Sequence, residues 1–214
     1  MIRLYTYFRS SAVFRVRIAL NLKGIAYEAL PVHFLRNGGE HRRPEFLRRN
    51  PQGLLPVLDD DGTLLTQSLA IIEYLDSRYP EPRLIPVDPV ARARVQMLAQ
   101  IIACEIHPLN NLRVLQYLRA ELGLDEAGVK RWVQHWIAES FHGFEVWVAH
   151  WSGGRYCFGD AVSLADVCLV PQVYNARRFD CDLAPYPTIV RIADGLRDLP
   201  PFANAAPESQ PDAE

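Results

Sequence analysis

The feature of this sequence that most constrains its fold is a change of hydrophobic pattern near residue 80. Before this point, segments with the two-residue period of strands alternate with segments that have the spacing of helices. After it, every periodic segment has helical spacing. Four closely spaced prolines separate the two regions, at positions 80, 82, 86 and 89, and such punctuation is typical of a domain boundary. The sequence therefore predicts an α/β domain followed by an all-α domain.

The first region predicts the element order βαβαββα of a thioredoxin-like domain. Strand patterns cover residues 2–7, 27–33, 55–58 and 63–65, and helical patterns begin near Val13 and Leu69. Gly24 can end the first of these helices, and Ser68 is a plausible N-cap for the other. The last two strands form a predicted hairpin, because Asp61-Gly62 readily adopts the positive φ angles of a tight turn.

In the second region, apolar residues at spacings of three and four predict helices over 95–109, 133–148, from 163 onward, and 189–199. Ser163 and Asp166 have the spacing of a capping box at a helix start. We expect two domains at 1–82 and 90–202, joined by a linker at 83–89. The polar stretch 203–214 is expected to be a flexible tail.

Composition excludes several classes of partner. The 214 residues carry a net charge of −2, which gives no reason to expect nucleic acid or an anionic membrane as a partner. No apolar run approaches the ~20 residues of a membrane span, and the first residues lack the features of a signal peptide. The expected compartment is therefore the cytoplasm, where the four cysteines should be buried free thiols.

No metal site is predicted. Cys104 and His107 lie three residues apart, which is a spacing that metal ligands use. A third and a fourth ligand do not occur at usable spacing, so we reject this pair as a metal site.

The loop after the first strand is the strongest candidate for anion binding. Arg9, Ser10 and Ser11 lie between a strand and a helix N-terminus, where backbone N–H groups and the positive end of the helix dipole stabilise an anion. The alternative is that Ser10 or Ser11 simply caps the helix.

A second group of donors follows later in the first region. Pro56 opens a strand, and in a thioredoxin-like layout a proline here is often cis, which leaves the backbone of Leu55 free to pair with a peptide. Gln67 and Ser68 begin a helix and offer a further anion site. These donors suit a small acidic peptide better than a phosphate, because the sequence has no glycine-rich phosphate loop.

Three segments of the chain resemble the zeta class of the glutathione S-transferases. They are residues 9–20, 67–75 and 159–173, and the similarity extends from about residue 2 to about residue 200. The first segment is specific to the class, whereas the third is shared by glutathione transferases generally. Residues 107–115 resemble bacterial isomerases of the class. Ala12 stands where many members have a cysteine, which excludes a mechanism with a protein thiol at that position.

The resemblance implies a glutathione-dependent cis–trans isomerase and a homodimer. The glutathione thiolate would add to the double bond of maleylacetoacetate, and rotation followed by loss of the thiolate would give fumarylacetoacetate, a step in tyrosine catabolism. Maleylpyruvate is the alternative substrate, in the gentisate pathway. A generic zeta-class transferase or dehalogenase and a non-enzymatic binding module of the same fold are further alternatives.

The resemblance also implies roles for individual residues. Ser10 would be the main thiol contact, with Ser11 as the second candidate, and Arg9 would act in the same loop. Other residues would bind glutathione along its length: Gln67 and Ser68 at the γ-glutamyl end, Leu55 and Pro56 at the cysteinyl backbone, and Gln52 and His107 at the glycine end. Arg9, Arg113 and Arg178 would bind the carboxylates of the substrate, because arginine forks suit carboxylates. The alternative for Arg113 and Arg178 is a solvated helix face.

Overall fold

A computed structural model describes residues 1–214, which divide into two compact units. The first unit comprises residues 1–83 and 198–214, and the second comprises residues 84–197. No helix in either unit combines the length and the apolar character that crossing a membrane requires.

The first unit is built on a four-stranded mixed sheet. Its strands are β1 (Ile2–Thr6), β2 (Tyr27–Pro31), β3 (Val57–Asp60) and β4 (Thr63–Thr66), in the spatial order β2-β1-β3-β4. Strand β2 is parallel to β1, whereas β3 is antiparallel to both of its neighbours. At the β3–β4 turn, Asp61 and Gly62 have φ angles of 47° and 94°. The predicted hairpin and the thioredoxin-like order are therefore confirmed.

Three helices accompany this sheet: α1 (Ser11–Leu22), α2 (Pro44–Leu47) and α3 (Ser68–Arg78). Helices α1 and α3 pack against each other and supply much of the core. The apolar residues of α1 from Val13 to Leu20 are almost all inaccessible to solvent, and so are Ile71, Ile72 and Leu75 of α3. Burial of these apolar side chains stabilises the unit, because each fully buried side chain contributes roughly 1.5–3 kcal/mol to the free energy of folding.

The second unit is entirely helical, as predicted. It contains α4 (Pro89–Gln100), a π-helix (Ile101–Ile106), α5 (Leu112–Ala120), α6 (Glu126–Trp151), α7 (Leu164–Arg178) and α8 (Pro187–Arg197). The apolar face of α6 is fully buried at every step from Val133 to Val148, and α7 is buried on nearly all sides. The predicted helix over 95–109 includes the π-helix, and α5 lies outside the predicted helices.

Side-chain hydrogen bonds fix the starts of two of these helices, of which the second was predicted from the sequence. The Asp88 carboxylate accepts from the backbone N–H of Ala91 at 2.8 Å, with Pro89 in the first turn of α4. At the start of α7, the Asp166 carboxylate accepts from the N–H of Ser163 at 2.8 Å and completes the capping box. Asp166 is buried, and burial raises its pKa.

Residues 198–214, which we call the returning segment, differ from the expectation of a flexible tail after residue 202. They pack on the first unit as α9 (Pro200–Ala203) followed by a 3₁₀ turn at Pro207–Ser209. Phe202 and Ala205 are buried. The physical reason is that the buried guanidinium of Arg17 needs acceptors, and the carbonyl of Ala205 provides one at 2.9 Å.

Lys23 ties the end of α1 to the end of α3. Its ammonium group contacts the Asp76 carboxylate at 2.8 Å and the carbonyls of Tyr79 and Pro82 at 2.7 and 2.9 Å. The side chain of Lys23 is 0% exposed and that of Asp76 only 5%. All three donors of the ammonium are therefore satisfied within the protein.

We predict that Lys23→Met lowers the free energy of unfolding by about 3 kcal/mol, because it removes the ammonium group that contacts the buried Asp76 carboxylate. The matched control is Lys130→Met, which breaks an exposed pair with Asp180 and should cost less than about 1 kcal/mol. Urea denaturation measures both. Equal losses in the two variants would contradict the role assigned to Lys23.

Candidate active site

Three loops of the first unit emerge at the same end of the sheet. Tyr5 in β1 pairs with Val57 in β3, and Val57 pairs with Thr66 in β4. The end of β1, the start of β3 and the end of β4 are therefore neighbours. The site residues predicted for this unit lie in the loops that follow β1, precede β3 and follow β4. The fold therefore brings them to one edge of the sheet.

Ser10 begins α1 at this edge. A tight turn closes with the backbone N–H of Ser10 donating to the carbonyl of Tyr7 at 3.0 Å. The Ser10 hydroxyl oxygen accepts from the N–H of Val13 at 3.3 Å, so Ser10 is the N-cap and Ser11 is the first helical residue. Capping uses an acceptor site of the hydroxyl, and its hydrogen can still be donated to a ligand. The two interpretations of Ser10, as a helix cap and as an anion-binding residue, are thus compatible.

Arg9 projects from the same turn. Its side chain is exposed, its guanidinium lies 4.8 Å from the centre of the Phe8 ring, and it forms no ion pair. A cation on an exposed turn next to a helix N-terminus adds positive potential where an anion would bind.

The loop before β3 is fixed from within. The Leu55–Pro56 peptide bond is cis, as the sequence predicts for this layout. Asn50 is 2% exposed, and its amide donates to the carbonyl of Leu54 at 2.7 Å while its oxygen accepts from the N–H of Gln52 at 3.1 Å. Sequence reasoning missed Asn50, although its position immediately before Pro51 is typical of a turn residue.

The start of α3 differs from the expectation that Ser68 is its N-cap. Gln67 holds this position with a φ of 68°, and its side chain makes no cap hydrogen bond. The amide of Gln67 instead donates to the side-chain oxygen of Gln52 at 3.0 Å. Two amides predicted to bind one ligand are therefore in contact. The first N–H groups of α3 have no side-chain acceptor, which leaves the positive end of this helix for an anion.

Ser68 is a buried residue in the first turn of α3 rather than its cap. The Ser68 hydroxyl oxygen accepts from the guanidinium of Arg15 at 3.3 Å. Since Arg15 lies on α1, this contact links the starts of the two helices. Arg15 is 1% exposed and was missed by sequence reasoning, for which the only signal is an arginine inside an otherwise apolar helix.

A second buried arginine lies behind the turn. Arg17 donates to the carbonyl of Phe8 at 3.0 Å and to the hydroxyl of Thr6 at 3.2 Å. Burial lowers the pKa of Arg17 to about 10, and the attraction of Tyr27 and Asp212 acts in the opposite direction. The guanidinium is therefore still cationic at neutral pH.

The first unit contains no thiol. Ala12 is buried in α1, and all four cysteines are free and lie in the second unit. Cys157 and Cys168 are buried, but Cys104 is exposed and Cys181 is half-buried, which corrects the expectation that all four are buried. Burial next to Asp166 raises the pKa of the Cys157 thiol well above its ordinary value. No residue of the first unit can therefore supply a thiolate at the Ser10 turn.

The remaining candidates lie in the second unit. His107 follows the π-helix, is half-buried, and donates its backbone N–H to the carbonyl of Ile102 at 3.0 Å. Arg113, in the first turn of α5, is exposed and forms no ion pair. Arg178, at the end of α7, is exposed and stacks on the Phe179 ring at 5.3 Å.

Arg177 and Arg178 are adjacent in α7 but differ in their ion pairing. Arg177 contacts the Asp194 carboxylate at 2.8 Å, so its charge is already neutralised by the protein. The guanidinium of Arg178 has no carboxylate partner. Its geometry fits either a solvated helix face or a carboxylate-binding residue, and its role stays a prediction.

Comparison with known proteins gives two matches to family patterns. The glutathione S-transferase N-terminal domain matches residues 4–83, and the glutathione S-transferase C-terminal domain matches residues 130–204. A probable maleylacetoacetate isomerase of Vibrio cholerae is 57% identical over 210 residues, covering 98% of this chain and 97% of that protein. A maleylpyruvate isomerase of Ralstonia is 48% identical over 212 residues, covering 99% of each chain.

Solved structures agree with these matches. The holo structure of a maleylpyruvate isomerase, a bacterial zeta-class glutathione S-transferase, superposes with a TM-score of 0.95 at 47% identity, covering 99% of this chain and 100% of that one. A maleylacetoacetate isomerase of Methylobacterium extorquens with bound malonate and glutathione gives 0.93 at 42% identity, covering 99% of each. One from Anaeromyxobacter dehalogenans, with bound dicarboxyethyl glutathione and citrate, gives 0.87 at 42% identity, covering 100% and 98%.

Proposed function

The chain belongs to the glutathione S-transferase family, and we propose that it is the enzyme that isomerises maleylacetoacetate to fumarylacetoacetate with glutathione as cofactor. One observation carries this proposal above the others. Relatives named for this reaction are 43–57% identical over nearly the whole chain, including the mouse enzyme at 47%. Zeta-class members of known structure share the same fold over the same length.

The residues at the sheet edge fit glutathione. Its γ-glutamyl end carries a carboxylate, which suits the uncapped start of α3 and the amide of Gln67. Its thiol suits the start of α1, which has a hydroxyl, an exposed arginine and helix N–H groups but no cysteine. When bound, glutathione supplies a thiolate that adds reversibly to the cis double bond of the substrate.

The first contribution of the protein is to keep that sulfur ionised. A free thiol of this kind has a pKa of about 8.5, so only a few per cent is thiolate at neutral pH. A drop of about 2 units corresponds to ~2.7 kcal/mol. The Ser10 hydroxyl and the N-terminus of α1 together can supply this amount, because hydrogen bonds to charged groups contribute about 1.5–3 kcal/mol.

The second contribution is to hold a dicarboxylate. We assign Arg9, Arg113 and Arg178 to the substrate carboxylates, because all three are exposed and none is neutralised by a carboxylate of the protein. Malonate and citrate, both multiply charged carboxylates, are bound in the related structures. We assign His107 to the glycine end of glutathione, together with Gln52.

Maleylpyruvate is a second candidate substrate, favoured by the Ralstonia relative and by the holo structure named for that activity. It shares the maleyl end of maleylacetoacetate and differs in the length beyond it. A transferase or dehalogenase activity would use the same activated sulfur. A non-enzymatic role is disfavoured, since Ser10, Ser11, Gln67, Ser68 and Pro56 are all present.

We also infer a homodimer in the cytoplasm. The dimer is the assembly that family membership implies, and free rather than paired cysteines fit a reducing compartment. Light scattering tests the first statement, because a dimer would have about twice the 24.3 kDa mass of the chain.

The experiment that tests the proposed function follows the loss of the cis diketo acid, with maleylacetoacetate and with maleylpyruvate, in the presence and absence of glutathione. We expect turnover only with glutathione, and a higher kcat/KM for maleylacetoacetate. Turnover of either acid without glutathione would contradict the role of the cofactor. A higher kcat/KM for maleylpyruvate would select the second candidate.

We predict that Ser10→Ala raises the pKa of the bound thiol toward its free value. At pH 7 the thiolate fraction then falls, and kcat should fall by about eightfold if the pKa rises by about 1.5 units while the N-terminus of α1 keeps its share of the shift. The difference should shrink at pH 9, where both proteins hold mostly thiolate. Ser11→Ala is the matched variant, with a smaller loss. A pH profile unchanged in both variants would remove these hydroxyls from the mechanism.

Arg178→Ala should raise KM for the substrate by about tenfold or more, because a charged hydrogen bond to a carboxylate is lost. Arg177→Ala is the matched control at the adjacent position, where the guanidinium serves Asp194. Steady-state kinetics with varied substrate at saturating glutathione separates the two. Arg178 has no role in substrate binding if its variant behaves like Arg177→Ala.

A further inference from the structure

Phe8 has both of its polar backbone groups bound by charged side chains. Its N–H donates to the Asp212 carboxylate at 3.0 Å, and its carbonyl accepts from the Arg17 guanidinium at 3.0 Å. Phe8 is 3% exposed and directly precedes Arg9 and Ser10. Asp212 lies more than two hundred residues away along the chain, in the returning segment.

The returning segment also contacts the loop after β2, at the same end of the sheet. Glu214 pairs with the guanidinium of Arg36, and its carboxylate lies 3.4 Å from Nε2 of His33. Nδ1 of His33 accepts from the backbone N–H groups of Leu35 and Arg36, so the proton of the neutral ring is on Nε2, facing Glu214. Residues 212 and 214 therefore bridge the loop after β1 and the loop after β2.

The returning segment is itself held in a defined conformation. The side-chain amide of Gln210 donates to the carbonyls of Asn204 and Ala206, both at 2.9 Å. The carbonyl of Ala205 accepts from Arg17, whose charge also attracts Asp212. The carboxylate of Asp212 is thus presented to Phe8 from a fixed position.

The position of the Ser10 hydroxyl depends on Phe8, because only Arg9 separates them in the turn from Tyr7 to Ser10. The N–H of Phe8 is bound by a carboxylate, which is a stronger acceptor than a neutral oxygen. Removal of this acceptor leaves a buried N–H without a partner, and the turn would have to rearrange to reach water.

We propose that Asp212 is a positioning residue for the thiol-binding loop. Its carboxylate fixes Phe8, and through Phe8 it fixes the turn that presents Arg9 and Ser10. The inference rests on the proposed function, since it concerns the loop assigned to the glutathione thiol. Asp212 acts by geometry, because a negative charge near a thiolate would by itself raise the pKa of that thiol.

Two substitutions separate geometry from charge. Asp212→Asn removes the charge but keeps a side-chain oxygen that can accept from Phe8, whereas Asp212→Ala removes both. The matched control is Asp182→Ala, which deletes an exposed carboxylate that accepts from the backbone N–H of Ala184 at 3.0 Å in the second unit. The readouts are hydrogen exchange of the Phe8 amide in glutathione-free protein, the pKa of the bound glutathione thiol, and kcat against pH.

For Asp212→Ala we expect Phe8 exchange at least about tenfold faster, a raised thiol pKa and a kcat about tenfold lower at neutral pH, with a smaller loss at high pH. Asp212→Asn should keep all three readouts within about threefold of the wild type, and Asp182→Ala should leave them unchanged. The proposal is overturned if Asp212→Ala keeps the Phe8 protection, or if Asp212→Asn is impaired as strongly as Asp212→Ala. A wild type without isomerase activity would overturn the proposed function instead, because Phe8 exchange does not depend on turnover.

Discussion

The interaction on which the rest of the first unit depends is the burial of the Arg17 guanidinium. A cation taken out of water must have its donors satisfied, and Arg17 finds acceptors on Thr6, Phe8 and Ala205. These acceptors belong to β1, to the turn that follows it and to the returning segment. One side chain therefore joins a strand end, the candidate active-site turn and a segment almost two hundred residues away. Desolvation of this charge is unfavourable, but the hydrogen bonds that offset it also fix the conformation of the turn.

Local signals account for the parts of the fold and site that the sequence predicts. The Asp61-Gly62 turn, the proline before β3 and the serines after β1 each act over a few residues, so their effect can be read in the sequence. The Ser163 capping box is of the same kind. The expected cap at Ser68 is wrong because α3 begins one residue earlier: Gln67, with a positive φ, is the N-cap, and Ser68 lies inside the helix, where its hydroxyl oxygen accepts from Arg15.

Long-range contacts account for the rest. The polar, proline-containing composition of residues 203–214 indicates flexibility, and nothing in the sequence shows that Arg17 and Phe8 would bind them. The roles of Arg113 and Arg178 are likewise invisible in periodicity, because a ligand-binding arginine and a solvated one have the same helical position. Family membership supplies these roles as expectations. The exposed and unpaired state of both side chains is what makes them suitable for an anionic substrate.

The π-helix at Ile101–Ile106 has a consequence for everything that follows it up to α5. A π-helical turn contains one residue more than an α-helical turn, so it is equivalent to a single-residue insertion in a regular helix. Each residue of an α-helix turns the chain by about 100°, so the extra residue changes by that angle the position of His107 around the helix axis relative to α4. Deleting one residue here would restore ideal hydrogen bonding while turning His107 away from its present side. A regular α-helix and the present position of His107 around the helix axis are therefore mutually exclusive, and this chain has the irregular turn.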